Sequence, residues 1–328
     1  MKLTDKIYVA GHNGLVGAAI TRLLRKKGYT NIITRSSAEL DLRDQKLVCD
    51  FFEREQPAYV FMAAAKVGGI LANQSYPADF IYDNLSIQSN IIHSAYKWGV
   101  EKLLFLGSSC IYPKNAPQPI EEDYLMTGFL EPTNDAYAIA KIAGIKMCQA
   151  YYKQYGCRFI SVMPTNLYGQ GDHYHLQNSH VLPALLRKFH EAKLRNEPAV
   201  TVWGTGKPRR EFLHVEDAAM ACYFLMQRYE SSEIINIGTG IDHTIKEMAT
   251  IIKKITNYTG EIDFDESKPD GTPRKLLNVD KITKLGWKSV IDLEEGLIST
   301  YKNFEENYHF YTQTNPQPAA PSAAIVNV

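Results

Sequence analysis

Through the first half of the chain, short unbroken apolar runs alternate with longer stretches in which apolar positions recur every three or four residues. The runs at 7–10, 31–34, 58–63, 102–106 and 158–162 have strand length, and the stretches at 15–27, 77–98 and 136–155 have helical periodicity. Strand–helix–strand alternation makes a parallel sheet with helices on both faces, and strands without a polar alternation fit a sheet covered on both sides. Past residue 166 the regularity fades. Residues 166–210 are rich in Gly, His, Asn and Pro around one helix at 181–192; short strands at 210–215 and 234–237 follow, with amphipathic helices at 244–256 and 293–306. The pattern predicts an α/β molecule. A doubly wound parallel sheet covers 1–166 and is rejoined by returning segments at about 211–237. A smaller C-terminal substrate-binding α/β lobe is built from 167–210 and 238–310. From Tyr311 onward Pro, Ala, Gln and Asn dominate, a composition that cannot build a core, so 311–328 reads as a disordered tail.

Composition narrows the partners. Of 328 residues, 36 are Lys or Arg and 36 are Asp or Glu, so there is no basic excess for a nucleic-acid or membrane-surface partner. No apolar run approaches the roughly 20 residues of a bilayer span, and the N-terminus lacks the features of a secretory leader. The five cysteines are scattered, odd in number and without a C-x-x-C pair, which predicts neither disulfide framework nor metal site and a cytoplasmic location.

Gly11-His12-Asn13-Gly14-Leu15-Val16-Gly17 follows the first apolar run and opens the first helix. Glycines there let the backbone turn tightly and approach a pyrophosphate resting on the positive end of the helix. Three glycines also make an ordinary turn, but the strand–helix–strand context makes Gly11, Asn13, Gly14, Leu15, Val16 and Gly17 candidate dinucleotide contacts and the sheet Rossmann-type. At the end of the second strand, where an NAD site carries an acid for the ribose 2′-hydroxyl, the chain has Thr34-Arg35-Ser36-Ser37. Arg35 suits a 2′-phosphate that a carboxylate would repel, which selects NADP (NADPH) as cofactor. Asp41 and Leu42 fall at the adenine edge.

Tyr137 and Lys141 lie four apart at the start of a helical stretch and share a face. An ammonium beside a phenol is expected to lower the tyrosine pKa and make Tyr137 a usable proton donor near neutrality. Ser108, closing the fourth strand at the carboxyl edge of the sheet, adds a hydroxyl for the same carbonyl oxygen.

With these residues on the page, the chain resembles the extended short-chain dehydrogenase/reductase family. The stretches 63–70 (AAAKVGGI), 107–113 (GSSCIYP), 163–169 (MPTNLYG), 178–181 (NSHV), 210–215 (REFLHV) and 268–275 (KPDGTPRK) are similar to those members that rework GDP-linked 4-keto sugars. The likeness runs from about residue 7 to 306. It implies epimerisation of GDP-4-keto-6-deoxy-D-mannose at C3 and C5, then NADPH-dependent reduction at C4 to GDP-L-fucose, in a homodimer paired through the long helices of the nucleotide domain. Carried over residue by residue, it puts Ser108, Tyr137 and Lys141 in the reduction and Cys110 and His180 in the epimerisation. Ala64, Ala65, Pro164, Asn166, Leu167 and His180 join Tyr137 and Lys141 at the cofactor. At the GDP end of the substrate, Asn166, Val181, Lys188, Trp203 and Arg210 are candidates, since Arg and Lys suit a diphosphate and Trp can stack on a base; Asp270 and Arg274 are candidates for ribose or sugar contact. His12 stands where bacterial members carry Arg.

The chemistry fits these residue types. Enolate formation needs donors at the ketone oxygen, which Ser108 and Tyr137 supply. A thiolate base needs a nearby cation, and an imidazole titrating near neutrality can return the proton. Cys110, two residues after Ser108, shares its cleft if the segment stays extended. By position alone Cys110 reads equally well as a small buried hydrophobe and His180 as a solvated helix start. Ser109-Cys110 stands where related dehydratases carry Asp-Glu, which argues against water elimination. A hexose 4-epimerase of the same fold and a non-catalytic NADP-binding sensor stay open as alternatives. His93, on the helix before the fourth strand, reads as structural.

Overall fold

The apolar runs of the first half are buried on both faces, and the chain between them returns as helices. In chain order the elements are β1 (Ile7–Ala10), α1 (Leu15–Lys26), β2 (Ile32–Ile33), α2 (Gln45–Glu55), β3 (Tyr59–Met62), α3 (Ile70–Ser75), α4 (Pro77–Lys97), β4 (Lys102–Leu106), α5 (Asp135–Tyr155) and β5 (Arg158–Pro164). The second half adds β6 (Asn166–Tyr168), α6 (Val181–Arg195), β7 (Ala199–Trp203), β8 (Arg209–His214), α7 (Val215–Arg228), β9 (Ile235–Ile237), β10 (Asp242–Thr244), α8 (Ile245–Thr256), β11 (Glu261–Asp265), β12 (Arg274–Lys275), α9 (Asp280–Lys284), α10 (Leu293–Glu306) and α11 (Tyr308–Gln313). The structure, a computed structural model, describes residues 1–176, 179–268 and 270–313.

Six strands form one parallel sheet in the order β2-β1-β3-β4-β5-β9. The order reverses beside β1, the switch point at which such sheets bind dinucleotides across their carboxyl ends. Ile20, Leu24, Ala219, Cys222 and Leu225 cover one face with α1 and α7; Phe51, Ile91, Ile92, Ile145 and Cys148 cover the other with α2, α4 and α5. The fold is a Rossmann-type doubly wound α/β sheet. A third apolar cluster, with Leu186, Phe189, Met248, Ile252, Leu297 and Phe304, joins α6, α8 and α10. No helix among the described residues is long and apolar enough to cross a membrane.

Two expectations are corrected. The strand expected at 210–215 does not return to the main sheet. It is β8, which pairs with β10, β12 and β6 in a second sheet, because β9 already occupies the edge beside β5. Nor is the segment from Tyr311 structureless at its start: α11 runs through it, and the Tyr311 ring lies 4.8 Å from that of Tyr174 and 6.1 Å from that of Phe304. Aromatic burial overrides composition there. The rest of the expected tail, 314–328, lies outside the described residues.

Candidate active site

The loop between β1 and α1 is built for close approach. Gly11 has φ +83°, and a Cβ on it would meet the Ala64 nitrogen at 2.6 Å; a Cβ on Gly17 would meet the Gly11 carbonyl oxygen at 2.1 Å. Side chains at either position are excluded. Gly14 caps α1 without a side-chain bond, and the first turn carries no acid, so the positive end of the helix is left to an anion. Asn13, Leu15 and Val16 belong to this turn, and Ala64 and Ala65 follow β3 directly against it. Arg35 sits at the end of β2 as expected, engaged by the Glu55 carboxylate at 3.0 Å and the Thr34 carbonyl at 2.7 Å. The carboxylates nearby are also held: Glu39 accepts from the Ser36 N–H and hydroxyl, and Asp41 pairs with Arg43 at 2.8 Å. The Ser36 hydrogen bonds, with Arg35 and His12 nearby, lower the Glu39 pKa, and His12 leaves a buried Nδ1 without a partner. This cradle fits a dinucleotide bearing an extra phosphate.

At the carboxyl end of β4, Ser108, Tyr137 and Cys110 come together. Ser108 Oγ accepts the Cys110 N–H at 3.2 Å and lies close enough to the Tyr137 phenol to act on its pKa. The segment is not extended. Residues Ser109–Ile111 make a tight 3-10 turn capped by Ser108, and this turn, instead of a shared strand face, brings residue 110 back beside residue 108.

The expected lowering of the Tyr137 pKa is corrected. Burial, with the nearby Cys110, drives it well above the ordinary 10. Lys141 does lie on the same face, its Nζ 5.8 Å from the Tyr137 ring centre, but it donates to the Leu106 carbonyl at 2.8 Å, and burial brings its own pKa down to about 7. Desolvation outweighs the attraction of an ammonium for a phenolate, so both groups favour their neutral forms.

Burial alone pushes the Cys110 thiol up. Lys275, its Nζ 3.5 Å from the sulfur, Asn134 Nδ2 at 3.3 Å and the Ser108 hydroxyl reverse that and leave it below the ordinary value. His180 caps α6 and keeps solvent contact, yet protein surrounds it closely enough that desolvation, Lys275 and His173 hold its pKa below 6.5. The neutral imidazole is therefore favoured more strongly than in an unperturbed histidine.

The residues expected at the nucleotide end divide. Lys188 lies 5.5 Å from the centre of the exposed Trp203 ring and donates to the Thr201 carbonyl; Lys268 approaches the same ring at 5.8 Å. Arg210 is half-buried near Asp270, and burial lowers its pKa. Asp270 accepts from the Thr205 N–H and hydroxyl, tying 270–271 to the 204–206 turn. Val181 is exposed beside His180. Asn166 spends its amide on the Glu211 carbonyl at 2.8 Å, while Leu167 and Pro164 line the chain leaving β5. Arg274, a candidate for ribose or sugar contact, is bound to Asp242. His93 bonds the Tyr151 hydroxyl at 2.8 Å between α4 and α5, a packing role.

Comparison with known proteins agrees with this geometry. Residues 7–238 match the model of the NAD dependent epimerase/dehydratase family. The chain belongs to that family. Among curated members, a putative GDP-L-fucose synthase 2 of Arabidopsis thaliana is 60% identical over 94% of this chain and 94% of its own length. The GDP-L-fucose synthase of Escherichia coli (strain K12) is 55% identical over 92% and 97%. A GDP-L-fucose synthetase from Naegleria fowleri solved bound to NADP superposes with a TM-score of 0.87 at 32% identity, covering 94% of this chain and 96% of that one.

Within this epimerase/dehydratase frame, sequence reasoning missed Asn134, Lys275 and Glu211. Asn134 precedes α5, and Lys275 comes from the second lobe. Glu211 is fully buried on β8, where its carboxylate accepts the N–H groups of Thr239, Gly240 and Leu277. A charged residue inside an otherwise apolar strand was the available signal for Glu211; Lys275 had none beyond its place in the 268–275 stretch.

Proposed function

We propose that this protein converts GDP-4-keto-6-deoxy-D-mannose to GDP-L-fucose, epimerising C3 and C5 and reducing C4 with NADPH in one site. The supporting observation is a thiol with a lowered pKa, held by Lys275 and Asn134, directly beside the Ser108–Tyr137 hydroxyl pair. A reductase needs the hydroxyls but has no use for the thiolate.

In this reading Ser108 and Tyr137 donate to the C4 oxygen. The Cys110 thiolate takes the proton alpha to the ketone; the C–H electrons move to the oxygen as an enolate, which the two donors stabilise. His180, neutral at rest, takes a proton from solvent and as the imidazolium returns it to the carbon from the opposite side, reverting to the neutral imidazole. Thiol and imidazole then re-equilibrate with solvent before the second carbon is inverted. The same donors later hold the C4 alkoxide, which Tyr137 protonates; its raised pKa keeps it an acid throughout the neutral range. NADPH, when bound, supplies the hydride that reduces C4, held by Gly11, Asn13, Gly14, Leu15, Val16 and Gly17, with Arg35 toward its extra phosphate and Lys141 toward its ribose. Lys188, Trp203, Arg210 and Asp270 hold the guanosine diphosphate, a cation and an aromatic face suiting phosphate and base.

The test is incubation with NADPH or NADH and a panel of 4-keto nucleotide sugars, following absorbance and identifying products. NADPH consumption with the GDP-linked substrate, giving the L-configured sugar, is expected; turnover only with another nucleotide sugar, or only with NADH, overturns it. We also propose a cytoplasmic homodimer. Tyr82 on α4 and Ile139 on α5 are exposed near the same end of the long helices, and sedimentation of Ile139→Glu as a dimer indistinguishable from the parent would contradict that surface.

A further inference from the structure

Cys110 and Lys275 come from different lobes and are 165 residues apart in sequence, yet their side chains meet at 3.5 Å. A lysine on a flexible stem is a poor point charge unless its backbone is fixed. The strand that carries it, β12, is two residues long and follows an exposed loop. Something other than strand length must hold it.

Glu211 does so. Its carboxylate is fully buried, and among the described residues no Lys or Arg pairs with it. It accepts three backbone N–H groups instead: Thr239 at 2.6 Å and Gly240 at 2.8 Å from the turn after β9, and Leu277 at 2.9 Å, two residues beyond Lys275. A Cβ on Gly238 would meet this carboxylate at 2.2 Å, so the turn is packed flat onto it. Charge-assisted bonds to backbone from one buried oxygen pair make a rigid clamp, and an amide in its place would turn an N–H against N–H donors. The β12–β8 register sets Lys275 opposite Arg210 and Arg274 opposite Arg209. Asp242 takes up both Arg209 and Arg274. Lys275 is left facing the sulfur.

We infer that Lys275 is the catalytic counter-cation of the Cys110 sulfur, with Asn134 as its neutral second donor, and that Glu211 is the positioning residue that holds Lys275 there. The inference rests on Cys110 being the epimerising base. The other groups around the sulfur do not replace the charge. Ser108 and Tyr137 face it from the nucleotide side as neutral hydroxyls. Lys114 pairs with Glu131 at 3.0 Å across the cavity of about 60 Å³ beside it, and Arg274 on that wall is bound to Asp242. His180 is near enough to Lys275 that, besides burial, its charge favours the neutral imidazole, as it favours the thiolate. One lysine thus lowers the pKa of both groups, toward thiolate and neutral imidazole, and ties both to the docking of the second lobe.

The direct test titrates Cys110 in the full-length protein by the pH dependence of its alkylation by iodoacetamide, located by peptide mass, with NADPH binding as the control for folding. Lys275→Met is expected to move the alkylation midpoint up by about 1–2 units, as loss of an adjacent opposite charge does. At neutral pH, deuterium incorporation at C3 and C5 then falls by about tenfold or more. Lys275→Arg keeps the charge and restores most of both. Glu211→Gln shifts the midpoint upward without touching the sulfur; Glu211→Asp, which keeps the charge and shortens the reach, serves where the amide variant does not fold. A Lys275→Met midpoint equal to the parent's, in protein that binds NADPH, overturns the role of Lys275, and an unmoved midpoint in the folded Glu211 variant overturns that of Glu211. Full deuterium incorporation by Cys110→Ser overturns the base assignment itself, whatever the Lys275 variants show.

Discussion

A phenol that protonates an alkoxide must still carry its proton when the alkoxide forms. Burial gives Tyr137 that property by holding its pKa above the ordinary value. Tyr137→Phe removes the proton and one of two enolate donors, so NADPH oxidation in stopped assays is expected to fall by about 10²–10⁴-fold; a loss of less than threefold would show that another group supplies the proton. Lys141 is linked to stability through burial: with a pKa of about 7 when folded and an ordinary 10.5, it binds fewer protons folded than unfolded between those values. Stability from this residue therefore rises with pH across that window. Lys141→Met should flatten the rise in melting temperature from pH 7 to 10, and an unchanged slope in thermal melts would place the cause elsewhere. At this scale the sequence indicated that Ser108, Tyr137 and Lys141 would lie together, because Y-x-x-x-K on a helix and Ser at a strand end are geometric signals. It did not show their charge states, since desolvation depends on neighbours such as Phe105 and Leu106 that only the fold assembles.

Among the elements, the β1–α1 turn has the least tolerance. Gly17→Ala places a methyl 2.1 Å from the Gly11 oxygen; the turn must open, and NADPH binding should weaken by about tenfold or more by fluorescence titration, an affinity loss of at least about 1.4 kcal/mol. Unaltered affinity would mean that the glycines shape a turn and not a cofactor cradle. Asp172, between β6 and α6, has one carboxyl oxygen buried without a partner, and burial lifts its pKa from the ordinary 3.8 to about 7. A raised carboxyl favours folding below its unfolded pKa and loses that advantage as pH climbs through the folded one. Asp172→Asn should hence recover about 2–4 kcal/mol at pH 8 and little at pH 4 in denaturant unfolding; equal gains at both pH values would rule out titration as the cause. Helices with one apolar stripe, such as α4 and α5, were legible from spacing. α7 was not: Val215, Ala218, Ala219, Cys222, Leu225 and Met226 bury one side, but the apolar Met220, Tyr223 and Phe224 on its other side blur the stripe in the sequence. The 3-10 turn at Ser109–Ile111 and the partners of β8 were equally silent, because a capping hydroxyl and an occupied sheet edge are tertiary facts.

For the whole molecule, the nucleotide side of the cleft could be read from the sequence and the other wall could not. The first side is local: loop, strand end and helix start fall in order along one sheet edge. The second reaches the site through Lys275, which travels on a short strand clamped by Glu211 and has no local periodicity to announce it. The proposed reaction therefore requires that both lobes act on one ketone. Product mass spectrometry after turnover of GDP-4-keto-6-deoxy-D-mannose with NADPH in deuterium oxide measures this most directly. The expected product is GDP-L-fucose carrying solvent deuterium at C3 and C5 and protium at C4. A reduced sugar that retains its original hydrogens at C3 and C5 would contradict it.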